Sequence, residues 1–232
     1  MNKQGPDGIG WCDYTWNPIV GCSKISAGCA NCYAEGVSRR FGLPWGAPVL
    51  KPERMGEPAK VKKPSRVFVC SMSDMGHAGV TTEWRWMITD AMRRAPWHTY
   101  IILTKRPGPW LRELPPVCWV GVTAENQAMA DERIPILFQW AWPCAVKFVS
   151  AEPLLEKISF SQIRSGLPDD MGHHQEPYLA FVIAGPETGP KARPCDPEWI
   201  EALSRESPCF FDKRAGDGRR REWPTKQRKE RT

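Results

Sequence analysis

Three cysteines are crowded into one short segment of the chain, in the spacing Cys-x6-Cys-x2-Cys. They are Cys22, Cys29 and Cys32, and a glycine precedes each of the first two. Clustered thiolates select zinc, copper(I) or an iron–sulfur centre, and glycine lets the backbone wrap closely around such a centre. We therefore predict a metal centre on the segment 21–33, although the spacing alone does not decide which metal it holds.

The number of ligands separates the two main alternatives. Structural zinc takes four protein ligands, and Cys12, which precedes Cys22 in the chain, could supply the fourth. Three cysteines alone would leave one iron of a [4Fe–4S] cluster open to another ligand. Cys12 lies in the sequence Gly-Trp-Cys-Asp-Tyr-Thr-Trp, a candidate first strand, so its side chain could equally belong to the core.

The remaining cysteines and the composition indicate a globular protein of a reducing compartment. Nine cysteines, an odd number spread over 232 residues, do not suggest a disulfide framework. Cys70 and Cys118 lie in apolar runs and are predicted to be buried. The chain has no apolar run long enough to span a bilayer and no secretory signal at its start. We therefore expect a cytoplasmic protein without a membrane partner.

Positive charge is concentrated at the C-terminus. The net charge is +6, and residues 213–232 hold nine Lys/Arg against three Asp/Glu, so the whole surplus lies there. Such a composition predicts a flexible tail, which either keeps the protein soluble or attracts nucleic acid electrostatically. Residues 1–212 are predicted to form one folded domain.

Short apolar runs alternate with segments of helical spacing along the chain. Runs with little polar alternation are typical of strands buried on both faces of a parallel sheet. Six segments show this pattern: 66–70, 99–103, 117–122, 145–149, 179–184 and the shorter 209–211. Helical spacing occurs at 81–94, 126–140 and 197–204, and we expect Pro135 to interrupt or end the second of these helices.

This alternation of strands and helices predicts an α/β fold. About six parallel strands are too few for a closed barrel of eight. We therefore expect a single-domain partial (β/α) barrel, with a doubly wound open sheet as the alternative.

Polar side chains follow the ends of most of the predicted strands. The carboxyl ends of parallel strands meet at one edge of the sheet, which is where ligand sites lie in such folds. We therefore predict a ligand site at this edge. Its candidate residues are Ser71, Ser73, Asp74, Lys105, Glu125, Glu152, Gly185 and Glu187.

Nine short motifs resemble those of one family. They are Thr-Trp-Asn-Pro at 15–18, Gly-Cys at 21–22 and 28–29, Cys-Tyr-Ala-Glu at 32–35, Ser-Met-Ser-Asp at 71–74, Leu-Thr-Lys-Arg-Pro at 103–107, Asp-Glu-Arg-Ile at 131–134, Phe-Val-Ser-Ala-Glu-Pro-Leu at 148–154 and Ala-Arg-Pro at 192–194. The set resembles the three-cysteine-motif family of phage and bacterial proteins, a domain of unknown function that is similar to radical S-adenosylmethionine (SAM) enzymes. The resemblance extends over residues 10–213.

The resemblance implies an enzyme with two cofactors. A [4Fe–4S] cluster would be bound by Cys22, Cys29 and Cys32, on the loop after the first strand of a partial barrel, and SAM would bind the open iron. One electron from an external donor would cleave SAM to methionine and a 5′-deoxyadenosyl radical, which abstracts hydrogen from a substrate. The substrate is not readable from the sequence, although the basic tail suggests nucleic acid or a nucleotide.

The resemblance also implies roles for residues near the strand ends. Ser71, Ser73 and Asp74 would bind the amino group of SAM. Glu125 would reach its ribose, and the segment Gly185–Glu187 would line its adenosine.

Three further residues complete the implied site. Tyr33, the aromatic residue beside the last cysteine of the motif, is expected to contact the cofactor. Lys105 and Glu152, which follow the predicted strands 99–103 and 145–149, are the candidate catalytic residues.

Two other functions account for the same cysteines. The first is a zinc-bearing nucleic-acid-binding module, in which Cys12 completes a four-cysteine site. The second is a non-catalytic iron–sulfur subunit, which binds a cluster, does not cleave SAM and works with a partner protein.

Overall fold

The apolar runs of the sequence form the strands of one mostly parallel, eight-stranded sheet. The computed structural model describes residues 1–5, 8–141, 144, 146–160, 179–214 and 219–224. The strands of the large sheet are β1 (Asn2–Lys3), β2 (Tyr14–Trp16), β5 (Arg66–Val69), β6 (Thr99–Thr104), β7 (Cys118–Thr123), β8 (Val146–Ala151), β9 (Phe181–Ala184) and β10 (Phe210–Asp212). Two short strands, β3 (Ile19–Val20) and β4 (Val49–Leu50), pair antiparallel in a separate ribbon.

The strands of the large sheet follow one another in chain order, β1-β2-β5-β6-β7-β8-β9-β10. β1 is antiparallel to β2, and every later pair is parallel. A doubly wound sheet reverses its strand order at a switch point, and this order does not reverse, so the doubly wound alternative is wrong. The six predicted strands are confirmed, and β2 adds a seventh to the parallel set.

Helices lie between the parallel strands, as the sequence predicts. They are α1 (Tyr33–Phe41), α2 (Glu57–Lys60), α3 (Thr82–Arg93), α4 (Gln127–Trp140) and α5 (Pro197–Glu206). Side chains cap three of them: Thr81 accepts from the backbone of α3, Asn126 from that of α4 and Asp196 from that of α5. Among the described residues, no helix is long and apolar enough to cross a membrane.

The expectation that Pro135 interrupts its helix is wrong, because α4 continues through it from Gln127 to Trp140. Proline removes one helical hydrogen bond and crowds the preceding turn. The neighbouring residues Ile134 and Leu137 are fully buried in the core. Their burial keeps the helix on the sheet despite the proline, because apolar contact outweighs helix propensity at such positions.

Alternate residues of the strands enter two separate apolar clusters, one on each face of the sheet. In β5, Val67 and Val69 belong to the first cluster and Phe68 to the second. The buried apolar side chains of α3 and α4 pack into the first cluster only. Because both faces are buried, the strands carry apolar residues at nearly every position, which is the pattern seen in the sequence.

The second cluster is filled mainly by aromatic side chains from the strands and from the segment before β2. Its aromatic members are Trp11, Phe68, Trp119, Phe148, Phe181 and Phe211. Gly10 lies against the Phe211 ring, since a Cβ at Gly10 would be 3.4 Å from Phe211 Cζ. The chain just before β2 therefore contacts β10, although these two strands lie far apart in the order of the sheet.

Part of the predicted tail belongs to the folded domain. Arg221 pairs antiparallel with Phe211 of β10, and the Trp223 ring lies 5.2 Å from that of Phe211 and 5.7 Å from that of Phe181. The described segment 219–224 therefore extends the domain beyond residue 212. Residues 215–218 and 225–232, which the prediction of a flexible tail also covers, lie outside the described residues.

Candidate metal centre at the carboxyl edge of the sheet

The three clustered cysteines lie on the cysteine loop, residues 21–33, which runs from β3 to the start of α1. Cys22 comes just after β3, Cys29 ends a short 3-10 turn, and Cys32 is the residue before α1. All three side chains are half-buried and free of disulfides. Each of them is therefore a free cysteine on a residue that is only partly buried.

The loop begins at a glycine that is fixed to the end of β5. Gly21 donates a backbone hydrogen bond to Met72 O at 3.0 Å, and its carbonyl accepts one from Ser73 Oγ at 2.6 Å. Gly21 has φ +88°, and a Cβ there would lie 2.2 Å from Ala47 O. Only glycine fits this turn, because other residues rarely adopt a positive φ and would clash with the backbone.

The segment after β6 holds the loop beside Cys22. The guanidinium of Arg106 donates to Ser23 O at 2.7 Å, to Asp74 Oδ2 at 3.3 Å and to Cys22 Sγ at 3.6 Å. Asp74 is itself fixed by Thr104 Oγ1 at 2.6 Å and by the backbone N–H of Lys105 at 3.0 Å. Asp74 therefore orients the arginine that contacts the first cysteine.

The two charges around Cys22 act on its ionisation in opposite directions. Burial and the negative charge of Asp74 raise the pKa of the Cys22 thiol, and the positive charge of Arg106 partly offsets them. His77 lies in the same cluster, since its Nε2 is 2.8 Å from Ser23 Oγ. Burial and the nearby Arg106 lower the pKa of His77, so its neutral form is favoured.

The segment after β7 holds the centre of the loop through a buried ion pair. Glu125 Oε1 accepts from the Gly28 backbone N–H at 3.0 Å, and Arg133 Nη1 lies 3.0 Å from Glu125 Oε2. The side chains of Glu125 and Arg133 are 0% and 1% exposed. Burial opposes ionisation of Glu125, but the Ser26 hydrogen bond and the Arg133 charge together lower its pKa below the usual value.

The segment after β9 holds the loop from a third direction. Arg193 donates to Glu187 through Nε at 2.8 Å and through Nη2 at 2.5 Å, and Nη2 also donates to Ala27 O at 3.0 Å. Asn31, which lies between two of the cysteines, donates to Glu187 Oε2 at 3.0 Å. The Arg193 hydrogen bond is the main reason that the pKa of Glu187 falls to about 2.

Cys29 differs from the buried cysteines in its ionisation. Burial opposes its ionisation, but backbone hydrogen bonds at Ile25 and Ser26 and the charge of Lys105 lower its pKa overall. Burial raises the pKa of Cys12 to about 12, and it raises that of Cys118 well above the usual value. Thiolate is the form that binds metals, so the loop favours the metal-binding form at Cys29.

Tyr33 and Ser71 lie beside the cysteine loop at the same edge. The Tyr33 hydroxyl donates to Ser71 O at 2.6 Å while its side chain remains 54% exposed. Asn17, just after β2, accepts from Ser71 Oγ at 3.1 Å and from the Met72 N–H at 3.0 Å. The hydroxyl of Tyr33 is therefore held inward, and its ring forms part of the outer surface.

Glu152 and Gly185 lie at the ends of β8 and β9. Lys213 Nζ lies 2.7 Å from Glu152 Oε1, and Ser150 Oγ donates to Glu152 Oε2 at 3.1 Å. A Cβ on Gly185 would be 2.9 Å from Lys213 Cβ. The glycine therefore leaves room for the lysine that pairs with Glu152.

A protein-family comparison gives the chain a family. The model for a protein of unknown function (DUF5131) matches residues 7–231. The chain belongs to this family. A comparison of the DUF5131 chain with curated proteins gave no match, and neither did one with solved structures.

The candidate residues from the sequence lie at the carboxyl edge of the sheet. In this DUF5131 protein, Ser73, Asp74, Glu125 and Glu187 all connect to the cysteine loop, directly or through an arginine. Their carboxylates and hydroxyls are hydrogen-bonded to protein groups that fix the loop. Direct contact of these residues with SAM stays a prediction, and the contacts that the structure shows link them to the cysteine loop.

Lys105 is placed differently from these residues. Its positive charge is close enough to lower the pKa of both Cys29 and Glu125. Within the described part of the chain, its ammonium group has no hydrogen-bond or ion-pair partner. A cation in this position can receive an anionic group of a ligand, and its catalytic role, like that of Glu152, stays a prediction.

Two residues that the candidate list omits are central to the site. Arg133 and Arg193 carry the ion pairs that hold the loop, and both are separated from it by a long stretch of chain. They fall in the motifs at 131–134 and 192–194, which the family resemblance includes without an assigned role. These two motifs were therefore the sequence signal that could have pointed to Arg133 and Arg193. The structure shows what the arginines do, which is to pair with Glu125 and Glu187 beside the cysteine loop.

Proposed function

We propose that the chain is an iron–sulfur enzyme of the radical SAM type, with a [4Fe–4S] cluster on Cys22, Cys29 and Cys32. The observation that carries the proposal is the placement of the cysteine loop at the carboxyl edge of the parallel sheet. Side chains from the ends of β5, β6 and β7, and from the segment after β9, all hold the loop there. A loop that served only as a surface connection would not need four separate attachments.

We further propose that the sheet curls into a partial barrel with this edge as its mouth. Helices α3 and α4 pack into the cluster on one face, and the aromatic cluster on the other face comes from the strands themselves. Gly10, just before β2, contacts Phe211 of β10 although β2 and β10 are far apart in the order of the strands. Curling of the sheet would bring them together. Loops at the carboxyl ends of such a barrel converge on one mouth.

The donor set fits an iron–sulfur cluster better than a structural zinc ion. Structural zinc takes four ligands, and Cys12, the remaining candidate, lies buried in the aromatic cluster with its thiol directed to Ile9 O at 3.7 Å. A [4Fe–4S] cluster binds each thiolate through a different iron, so its three ligands have no need to converge on one ion.

The chain's own residues would prepare the site for this cofactor. When bound, the cluster and SAM supply one-electron cleavage of SAM and hydrogen abstraction from a substrate. Arg106 and the backbone around Cys29 stabilise negative charge on the sulfurs, while Glu125 and Glu187 fix the loop backbone through Gly28 and Arg193. Lys105 would bind an anionic group of the ligand, and the pair Glu152–Lys213 would hold or move a proton.

The test is anaerobic reconstitution with iron and sulfide, followed by incubation with SAM and dithionite. We expect about four irons per chain and release of 5′-deoxyadenosine. Both should be lost in the variants Cys22→Ala, Cys29→Ala and Cys32→Ala. Cys12→Ala and Cys195→Ala serve as matched controls outside the loop and should retain both.

Other outcomes would identify the rival functions. One zinc per chain, lost in Cys12→Ala, would replace the proposal with a zinc module. A stable cluster without 5′-deoxyadenosine would indicate a non-catalytic iron–sulfur subunit that works with a partner. Retention of iron in all three loop variants would remove the cysteine loop as the metal site.

A further inference from the structure

A second surface lies at the opposite edge of the sheet from the cysteine loop. We define the amino-edge surface as residues 60–66, Trp97, Thr99, Asp13 and residues 219–223. Arg66 begins β5 and Thr99 begins β6, so this surface lies at the amino ends of the strands. It shares none of the residues that hold the cysteines and is independent of the proposed function.

The centre of the amino-edge surface is an open pocket with an aromatic wall. Its volume is about 280 Å³, and it is lined by Asp13, Pro64, Ser65, Arg66, Trp97 and Thr99. The Trp97 Nε1 donates to Val61 O at 2.8 Å, which fixes the indole in place. Lys62 Nζ lies 5.5 Å from the centre of the Trp97 ring. The pocket therefore combines a fixed aromatic ring with a cation beside it.

A second aromatic–cation pair adjoins the pocket through Arg66. Its guanidinium carbon lies 3.8 Å from the centre of the Trp223 ring, and the same side chain lines the pocket beside Trp97. Trp223 is held against Phe181 and Phe211. The two tryptophans are therefore joined into one continuous surface by a single arginine.

The charge of this surface is strongly positive. Lys60, Lys62 and Lys63 are exposed, and residues 60–66 contain four Lys/Arg and no Asp or Glu. Residues 219–221 are three consecutive arginines, but Arg219 pairs with Glu201 at 3.7 Å and Arg220 with Glu222 at 2.6 Å, so the unpaired positive charge of the surface comes from its lysines. The acidic groups of the surface, Asp13 and Glu222, already pair with Arg66 at 2.9 Å and with Arg220 at 2.6 Å, so the lysines keep their excess charge.

We propose that the amino-edge surface binds single-stranded nucleic acid, with one base against Trp97 and phosphates on the surrounding lysines. Proteins that bind single strands combine a basic groove with aromatic rings on which bases stack. A duplex keeps its bases stacked inside and offers none to the pocket. An acidic polypeptide would use the lysines but would gain nothing from the indole, so the nucleic acid accounts for both features.

The experiment measures binding of a short fluorescein-labelled oligothymidylate to the full chain by fluorescence anisotropy, over a series of salt concentrations. Trp97→Ala should weaken binding roughly ten- to a hundredfold, and Trp97→Phe, which keeps a ring, should restore most of it. The double variant Lys62→Gln, Lys63→Gln should lower the slope of log K against log salt by about 1.4. These lysines are exposed, so the double variant should fold normally.

Two matched controls decide whether binding is local to this surface. Trp86→Ala removes an exposed tryptophan on α3, and the double variant Arg39→Gln, Arg40→Gln removes two charges on α1; both should bind like the unaltered chain. An equal loss of affinity in these two control variants would show unspecific electrostatic attraction and overturn the proposal. Equal affinity for a duplex or for polyglutamate, or unchanged binding by Trp97→Ala, would overturn it too. Cys29→Ala should bind normally, so the result does not depend on a cluster.

Discussion

Arg106 donates a hydrogen bond to the sulfur of Cys22 at 3.6 Å, across a gap of more than eighty residues in the sequence. The same guanidinium is fixed by Asp74, so the contact is part of a defined network and does not depend on a mobile side chain. Hydrogen bonds and charges beside a ligating sulfur tune both metal affinity and redox potential.

Replacing Arg106 should weaken iron binding without removing any of the three cysteines. In Arg106→Gln, the hydrogen bonds to Cys22 and to the Ser23 carbonyl are weakened or lost. We expect about a 10- to 100-fold loss of iron affinity, the usual effect of removing a group that orients a metal ligand. The measurement is competition with an iron chelator after anaerobic reconstitution. Arg106→Lys keeps the charge and should recover part of the affinity, and wild-type affinity in Arg106→Gln would contradict the prediction.

Gly28 should tolerate no side chain, although it has no unusual backbone angle. A Cβ there would lie 2.9 Å from Glu125 Cδ, so Gly28→Ala must push the cysteine loop away from its buried anchor. We expect a loss of about 1–3 kcal/mol in the free energy of unfolding and a lower iron content. Both are measured on the same preparation, by urea denaturation and by iron assay.

Gly36 provides the matched control for this change. It lies inside α1, and a Cβ there would meet no atom within 4 Å. Gly36→Ala should therefore raise the free energy of unfolding by about 0.5–1 kcal/mol, the gain expected for alanine in a helix. Equal effects of the two substitutions would mean that contact with Glu125 is unimportant.

Removing one partner of the buried pair of Glu125 and Arg133 should cost more stability than removing one partner of an exposed pair among the described residues. In Glu125→Gln, the Arg133 charge stays buried without its partner, which typically costs about 3–5 kcal/mol. Urea denaturation at neutral pH measures the loss. Glu198→Gln removes a carboxylate from the exposed pair with Arg205 and should change stability by less than about 1 kcal/mol.

The six strands β5 to β10 could be predicted from the sequence because each one is marked by its own residues. Both faces of the sheet are buried along β5 to β10, so these strands appear as nearly continuous apolar runs, whereas the exposed β1 (Asn2–Lys3) does not. The short strand β2 was only a candidate, because three residues carry little pattern. Pro135 was misjudged because its local effect on the helix is visible in the sequence, whereas the burial of Ile134 and Leu137 depends on the folded sheet.

The candidate site shows the same division between local and distant information. The spacing of the cysteines and the polar residues after each strand were visible directly. Two sets of contacts join segments that only the fold brings together. Glu125 contacts Gly28 and Arg133, and Arg193 contacts Glu187 and Ala27. Sequence reasoning therefore assigned Glu125 and Glu187 to a ligand, which stays a prediction, but it could not reveal their hydrogen bonds to the loop that carries the cysteines and to Arg193.

The ion pair of Glu187 with Arg193 should make part of the stability dependent on pH in the acid range. The Arg193 hydrogen bond lowers the pKa of Glu187 from 4.5 to about 2. A carboxyl group with a lower pKa in the folded state stabilises the fold above its unfolded pKa, and this contribution disappears as the pH falls through the folded pKa. The contribution should therefore be complete above about pH 4.5 and lost progressively down to about pH 2.

Glu187→Gln isolates this contribution. Because Arg193 is one-third exposed and solvent weakens such pairs, we expect a loss of only about 1 kcal/mol near neutral pH. The difference from the unaltered chain should shrink as the pH falls from about 4.5 to about 2. Urea denaturation of both proteins across this range measures it, and Arg193→Met, which removes the partner, should abolish the same pH dependence. A difference that stays constant down to the lowest pH at which both proteins fold would show that the carboxylate charge is not the source.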